Sequence, residues 1–307
     1  MNKGLDAFVS IALPRTRDDA PAWPAIVERF RSAAWRLEEH AVLSTCERVE
    51  LIGAGDHSAV LTALDDLWPC VRVGEQAARH VLRVASGLES RIAGESHILG
   101  QVRSAFDGGA NGTALAALAR RAVRAGRTVR SKTALGRLGV SYATLAADRA
   151  VRDGAEKAVV IGSGALARDV ATLLTDHWVR EIVIASGHPD RARARAPAHA
   201  RVVHLSVLAH ELANADALIS ATAAPRALVE VSHVSRRARP LLAVDLGVPR
   251  NIDAAVGDAP GVTLVDLDEL APREGPTMRA VREAEALVEH QLGMLRRDLA
   301  KREVMAA

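Results

Sequence analysis

The chain has 307 residues, more than one hydrophobic core ordinarily supports, so two or three domains are expected. Its hydrophobic fraction of 49% suits a folded protein, and with aromatics at only 3% the cores must be built from Ala, Val and Leu. A formal charge of +3 permits a polyanionic partner without requiring one, and two cysteines exclude a disulfide-stapled secreted scaffold in favour of a reducing cytoplasm.

The amino terminus has one Lys and a short apolar run but no small-residue cleavage pattern, and it reads as a strand rather than a leader or membrane span. From Leu5 to Val60, the short apolar runs AFVSIAL, HAVLS and VELIGAG alternate with a helical stretch, PAIVERFRSAAWRLEEH, an α+β pattern. Within it lies STCERVEL, where Ser44, Thr45 and Arg48 surround Cys46. A lone cysteine among aliphatics is an inert core residue or a nucleophile. The adjacent hydroxyls and guanidinium suit the second reading, since they can hold a carboxylate and orient a carbonyl.

Gly74 to Phe106 reads as two helices joined near Gly94 and Glu95. His80 sits in the first among apolar neighbours, as a satisfied core histidine or a functional one. In the second, Gly94, His97 and Gln101 share a face opposite Ile98, Val102 and Phe106, and that face lines a pocket or is simply solvated. LAALARRAVRAGRTVRSKTALGR then carries Arg120, Arg121, Arg124, Arg127, Arg130, Lys132 and Arg137 on a predicted helix. Positions 120, 124 and 127 share a face that suits a phosphate backbone or plain solvent.

From Ala158 to Leu270 strands and helices alternate, which predicts a doubly wound parallel sheet. Its first unit is AVVIGSGALARDVATLL: Gly162 permits the tight bend, Gly164 lets backbone approach phosphate, and Ala167 allows close packing. Gly162, Ser163, Gly164, Ala165, Leu166 and Ala167 are therefore expected to seat a dinucleotide. The second strand, EIVIAS, ends at Ser186 with no carboxylate for a ribose hydroxyl, and Arg191 and Arg193 follow, which favours NADP over NAD. Finally, Pro276 to Met305 reads as one helix with an apolar stripe of Val281, Ala284, Val288, Leu292, Leu295 and Leu299. No zinc-type Cys/His spacing occurs. A nucleophilic sulfur and a hydride carrier on one chain point to an acyl reductase that works through a thioester.

Taken together, STCERVEL, RHVLRVASGLESRIAGESHILGQV, VRSKTALGRLGVSYATLAAD, AVVIGSGALA, ADALISATAAP, AVDLGVPRNID and VTLVDLDEL resemble, in order, segments of the glutamyl-tRNA reductase family. The resemblance implies an α+β catalytic and substrate-recognition domain over 1–140 and a Rossmann-like NADP-binding domain over 141–272. A spinal-type helix over 273–307 would follow, with the dimerisation domain largely absent. It implies Cys46 as the nucleophile and His80 as a residue important for activity. Thr45, Glu47, Arg48, Ser90, Glu95, Ser96, His97 and Gln101 fall at substrate-contact positions. NADPH is the implied cofactor and glutamyl-tRNA the implied partner, with no metal, no membrane and a homodimer through the C-terminal helix. The reaction implied is reduction of the glutamyl ester to glutamate 1-semialdehyde, the first step of C5 tetrapyrrole biosynthesis. Glu47 stands where the family has Asn, Ser96 and His97 replace Pro and Gln, and Ser186 with Gly187 replace an Asn-Arg pair, for which Arg191 is the candidate substitute. These departures keep two other readings open: a reductase of another aminoacyl-tRNA, and a non-catalytic tRNA-binding or regulatory paralogue.

Overall fold

The computed structural model describes residues 4–15, 22–107, 113–137, 141–235, 237, 239–271 and 276–306. The chain divides into two compact units, one formed by Met1–Val140 together with Arg273–Ala307 and the other by Ser141–Pro272.

The first unit is built on β1 (Phe8–Pro14), α1 (Trp23–Ala34), β2 (Glu39–Ser44), β3 (Arg48–Ala54), α2 (Ser58–Leu64) and β4 (Cys70–Val73). Then come α3 (Gly74–Ala85), α4 (His97–Asp107), α5 (Thr113–Lys132) and the single turn α6 (Ala134–Arg137). The strands form an antiparallel sheet in the order β2-β3-β1-β4. Alternation of side chains sends successive residues to opposite faces. Val9, Ile11, Val49 and Leu51 pack on α1 and α2, while Phe8, Ala41, Leu43 and Ile52 pack on α3, α4 and α5. Two polar residues, Ser10 and Glu50, share that second face and are fully buried there.

The structure departs from the periodicity at a few places. α1 ends at Ala34, not His40, because Glu39 and His40 pair with Ala54 and Gly53 in the sheet. Glu39 is further used from the strand, where its carboxylate accepts the Leu115 N–H at 2.7 Å and caps α5. The short α2 and the edge strand β4 carry no clear apolar alternation. In β4 only Arg72 falls short of full exposure.

The second unit comprises α7 (Tyr142–Arg152), β5 (Lys157–Ile161), α8 (Ala165–Asp176), β6 (Glu181–Ser186), α9 (Pro189–Arg193) and β7 (Ala200–His204). It continues with α10 (Leu208–Leu212), β8 (Ala217–Ser220), β9 (Leu241–Asp245), β10 (Val262–Asp266) and α11 (Leu267–Leu270). The six strands are all parallel in the order β10-β9-β8-β5-β6-β7, the doubly wound sheet expected. The order reverses between β5 and β8, and the crevice at such a switch point is where a ligand binds.

The closing helix, α12 (Met278–Ala306), belongs to the first unit. Thr277 caps it, its hydroxyl accepting the Ala280 N–H at 3.3 Å. Ala284, Val288, Leu292, Leu295 and Leu299 are buried against α3 and α5, and Ala280 is buried where the stripe was expected to use Val281. Arg79 with Glu289, Arg121 with Asp298, and Arg296 with Glu75 flank this seam. Among the described residues no helix is long and apolar enough to cross a membrane.

Truncating Leu292 to Ala should lower the stability of the first unit by about 3 kcal/mol, the usual cost of an unfilled cavity at a fully buried leucine. An earlier urea midpoint by circular dichroism checks this, and an unchanged midpoint would mean that the helix is not part of the core.

Candidate functional site

Cys46 lies at the tip of the β2–β3 hairpin, where Ser44 opposite Val49 is the last ladder pair. The turn is closed by the Thr45 N–H donating to the Arg48 carbonyl at 2.9 Å. The Thr45 hydroxyl accepts the Glu47 and Arg48 N–H groups, both at 3.1 Å. Thr45 is thereby a builder of the turn, and this is the local reason why the Cys46 and Glu47 side chains project from a fixed backbone. Cys46 is half-buried, whereas Cys70 is exposed on β4.

Several contacts hold this tip against the loop that joins α3 to α4. The Arg48 guanidinium donates to the Glu89 carbonyl. The Glu47 carboxylate accepts the Arg91 N–H at 3.2 and 3.3 Å and lies 3.7 Å from Arg48. From the other side the Arg15 N–H donates to the Glu47 carbonyl at 2.8 Å, at the end of β1, where Pro14 faces Arg48. The loop closes on itself where the Gly94 N–H meets the Gly87 carbonyl at 2.9 Å. Gly94 has φ +81°, and a Cβ there would stand 2.6 Å from the Leu135 carbonyl oxygen, so no other residue fits without displacing α6.

Ser90 is half-buried within the loop and Glu95 closes it. The Glu95 carboxylate accepts the N–H groups of His97 at 2.8 Å and Ile98 at 2.9 Å, capping α4. Ser96 and Gln101 are exposed and His97 half-buried on the first turns of α4. Of the residues expected to bind substrate, the structure thus gathers Thr45, Glu47, Arg48 and Glu95 around the cysteine. Arg130 fastens the loop from beneath, donating to the carbonyls of Ala85, Gly126 and Glu95 at 2.9, 3.0 and 2.7 Å.

His80 is buried. Its Nε2 lies 3.2 and 3.3 Å from the two oxygens of Glu50, and its Nδ1 is 4.0 Å from Glu89. Ser10 donates to Glu50 at 2.7 Å. Burial pushes the Glu50 carboxyl up, but its hydrogen bond and charge contact with His80, the Ser10 hydroxyl and the Arg48 charge outweigh that and hold it below the ordinary carboxylate range. An ionised Glu50 makes Nε2 the protonated nitrogen of the ring. Glu89 continues the chain to Arg83 at 2.6 Å, and Arg83 also pairs with Glu285 of α12. Arg15, Glu50 and Glu89 were missed in the sequence because only strand register and the path of the loop bring them to this place.

The thiol itself is pushed up to about 12, first by burial, then by the negative charges of Glu47 and Glu95, with Arg15 opposing. At neutral pH the resting sulfur is protonated. No group of three His, Cys, Asp or Glu side chains that could hold a metal occurs among the described residues.

In the second unit the glycine turn joins β5 to α8, and its features fit a dinucleotide. Gly162 has φ +138°, and a Cβ there would stand 2.5 Å from the Ala221 carbonyl oxygen and 3.0 Å from the Ala167 methyl. A Cβ on Gly164, by contrast, would meet nothing within 4 Å, leaving that backbone open at the start of a twelve-residue helix. Ser163 and Leu166 are half-buried, Ala165 is exposed and Ala167 is buried. The cleft here is lined by Gly162, Ser163, Gly164, Ile184 and two arginines, Arg168 and Arg195. Arg168 is held by Asp169 at 2.6 Å. The Ser186 hydroxyl is buried and accepts the His188 N–H at 3.0 Å, and Arg191 is exposed on α9, outside the lining.

Comparison with known proteins gives the following. Residues 15–133 match the model of the glutamyl-tRNAGlu reductase N-terminal domain, and residues 144–272 match that of shikimate / quinate 5-dehydrogenase. Glutamyl-tRNA reductase of Thermus thermophilus is 34% identical over 275 residues, covering 84% of this chain and 70% of the relative. Glutamyl-tRNA reductase 2 of an Anaeromyxobacter species is 37% identical over 299 residues, covering 87% and 69%. The solved glutamyl-tRNA reductase of Methanopyrus kandleri is 29% identical, covers 96% of this chain and 81% of that one, and superposes with a TM-score of 0.49.

Glu47→Gln keeps an oxygen for the Arg91 N–H and removes one of the charges that disfavour thiolate. Alkylation of Cys46 at pH 8, followed by mass spectrometry of its own peptide, should accelerate about three- to tenfold, as expected for half to one unit of lowered pKa. An unchanged rate would show that the Glu47 charge does not contribute to the thiol's proton affinity.

Proposed function

The chain belongs to the glutamyl-tRNA reductase family, and we infer that it reduces glutamyl-tRNA to glutamate 1-semialdehyde, the first step of tetrapyrrole synthesis, through a thioester on Cys46. The observation that carries the assignment of the nucleophile is the half-buried Cys46 fixed at the hairpin tip near Glu47, Glu95 and two guanidiniums.

The chemistry follows from that arrangement. In the free protein burial, and after it the charges of the two carboxylates, keep the sulfur protonated, which protects it from adventitious reaction. An aminoacyl ester brings an α-ammonium group, and seating this cation beside Glu47 and Glu95 cancels the charges that oppose thiolate. In this reading the guanidiniums of Arg48 and Arg15 attract the side-chain carboxylate of the glutamyl group. Sulfur then attacks the ester carbonyl, the carbon–oxygen bond to the ribose breaks, and the thiol proton goes to the departing hydroxyl. Uncharged tRNA leaves and the glutamyl group stays on Cys46. His80, held by Glu50 through Nε2–H, turns its other ring nitrogen towards Glu89 of the loop, 4.0 Å away. Ser90, Ser96, His97 and Gln101 complete the surroundings of the glutamyl group in this reading.

A nicotinamide dinucleotide bound at Gly162–Ser163–Gly164 supplies the electron pair that converts the thioester to an aldehyde and frees the sulfur. NADPH is the preferred form. Arg195, in the cleft lining beside the glycine turn, and Arg191 are the cations placed after β6 for a ribose 2′-phosphate, with Ser186 shaping the turn between them. The apolar stripe of α12 is already buried within its own unit, so a homodimer through this helix would use its outer face.

With glutamyl-labelled tRNA and no reductant, the wild-type protein should retain label on Cys46 and release aldehyde once NADPH is added. Cys46→Ser should do neither. Retention of a different aminoacyl label would reassign the substrate, and binding of tRNA without any label transfer would make the chain a non-catalytic paralogue. Separately, Arg195→Gln should raise the KM for NADPH about ten- to a hundredfold, the worth of one charge-assisted phosphate contact, and leave that for NADH unchanged. Equal effects on both cofactors would remove Arg195 from the 2′-phosphate site.

A further inference from the structure

A groove of about 570 Å³, whose lining includes no residue of the cysteine turn, lies in the first unit between α4, α5 and α12. Its floor is apolar, with Phe106, Ala119 and Val123. Around the floor stand five arginines, at 103, 120, 121, 124 and 127, against two aspartates, Asp107 and Asp298. Three positive charges are left uncompensated.

Those charges are unevenly placed. Arg121 is consumed by Asp298 at 2.7 Å, and Arg103 lies 3.9 Å from Asp107. Arg120, Arg124 and Arg127 are exposed on one face of α5, a run of about 10 Å along the helix, and no ion pair with another described residue holds them. Elsewhere in the same unit arginines are mostly paired: Arg29 with Asp66, Arg79 with Glu75 and Glu289, Arg83 with Glu89 and Glu285. Self-repulsion among three adjacent guanidiniums opposes folding, and an anion held along the ridge would relieve it.

We propose that this groove is a docking track for the sugar-phosphate backbone of the tRNA. Guanidiniums at successive turns of a helix grip consecutive phosphates, and the apolar floor accepts ribose and base faces. The track gives sequence-tolerant affinity, while the cysteine turn reads the aminoacyl end. The inference rests on the tRNA-dependent function argued above.

The test compares tRNA affinity, measured by fluorescence anisotropy across a salt series, in the wild type and in Arg120→Gln/Arg124→Gln/Arg127→Gln. Arg31→Gln/Arg36→Gln, located in and just after α1 on the other face of the sheet, serves as a control. Acylation of Cys46 by a small glutamyl thioester, which needs no RNA, is read in parallel. The triple variant should bind tRNA at least about tenfold more weakly near 0.1 M salt, with the slope of log affinity against log salt reduced by about 2, as three lost phosphate contacts require. Its thioester acylation should match the wild type, and the α1 pair should bind normally. Unchanged affinity and slope in the triple variant overturns the track, as does an equal loss in the α1 pair or a parallel loss of thioester acylation. Displacement of tRNA by polyglutamate at matched charge also overturns it, in favour of an acidic protein segment. A wild-type protein that binds no tRNA at all sinks the functional reading beneath it, an outcome distinct from wild-type binding that the triple variant leaves intact.

Discussion

A carboxylate buried to completion in the middle of a sheet is the constraint around which the first unit is organised. Glu50 on β3 has no access to water and remains ionised because Ser10 from β1 and His80 from α3 converge on it. Removing either partner would strand a charge in an aliphatic core. The pairing therefore fixes the height and rotation of α3 over the sheet. Through Glu89 and Arg48 it also sets the position of the loop that borders the Cys46 turn. Packing alone would not specify that geometry, since Ala, Val and Leu surfaces slide more readily than a three-residue polar chain.

Much of this was legible in the amino-acid string, and the reasons differ by element. The parallel sheet announced itself because its strands are buried on both faces and read as continuous apolar runs, AVVI and LLAV among them. The helix after residue 276 was equally clear from its stripe, whose destination on α3 and α5 was not. The edge strands β4 and β7 escaped because half-exposed edges carry no clean alternation. At the candidate site, Cys46 and Arg48 could be picked out from local context, and Glu95 from the family resemblance. Thr45, expected to touch substrate, instead spends its hydroxyl on the turn, a local use that resembles a functional one in sequence. Arg15 and Glu50 were invisible, since Arg15 and Ser10 reach their partners only through the register of β1 with β3, and His80 reaches Glu50 only through the packing of α3 on the sheet.

The arginines of α5 show how one helix serves two purposes. Arg130 turns inward and holds the carbonyls of Ala85 at the end of α3, Glu95 in the loop and Gly126 of its own helix, with burial depressing its proton affinity. Arg121 ties the helix to α12. Arg120, Arg124 and Arg127 remain on the outer face. Charge density along the sequence is uniform, yet its use is divided by the 3.6-residue period into fastening and display.

The first unit is assembled from both ends of the chain, with the nucleotide-binding unit inserted between its sixth and last helices. On a ribosome, the parallel sheet is therefore finished while the apolar flank of α3 and α5 still lacks its cover. That flank carries Val81, Leu118 and Ala122, all fully shielded only in the mature protein. Nascent chains paused before residue 278 thus present a sticky, half-built domain next to a completed one, a natural client for a chaperone that binds aliphatic surface.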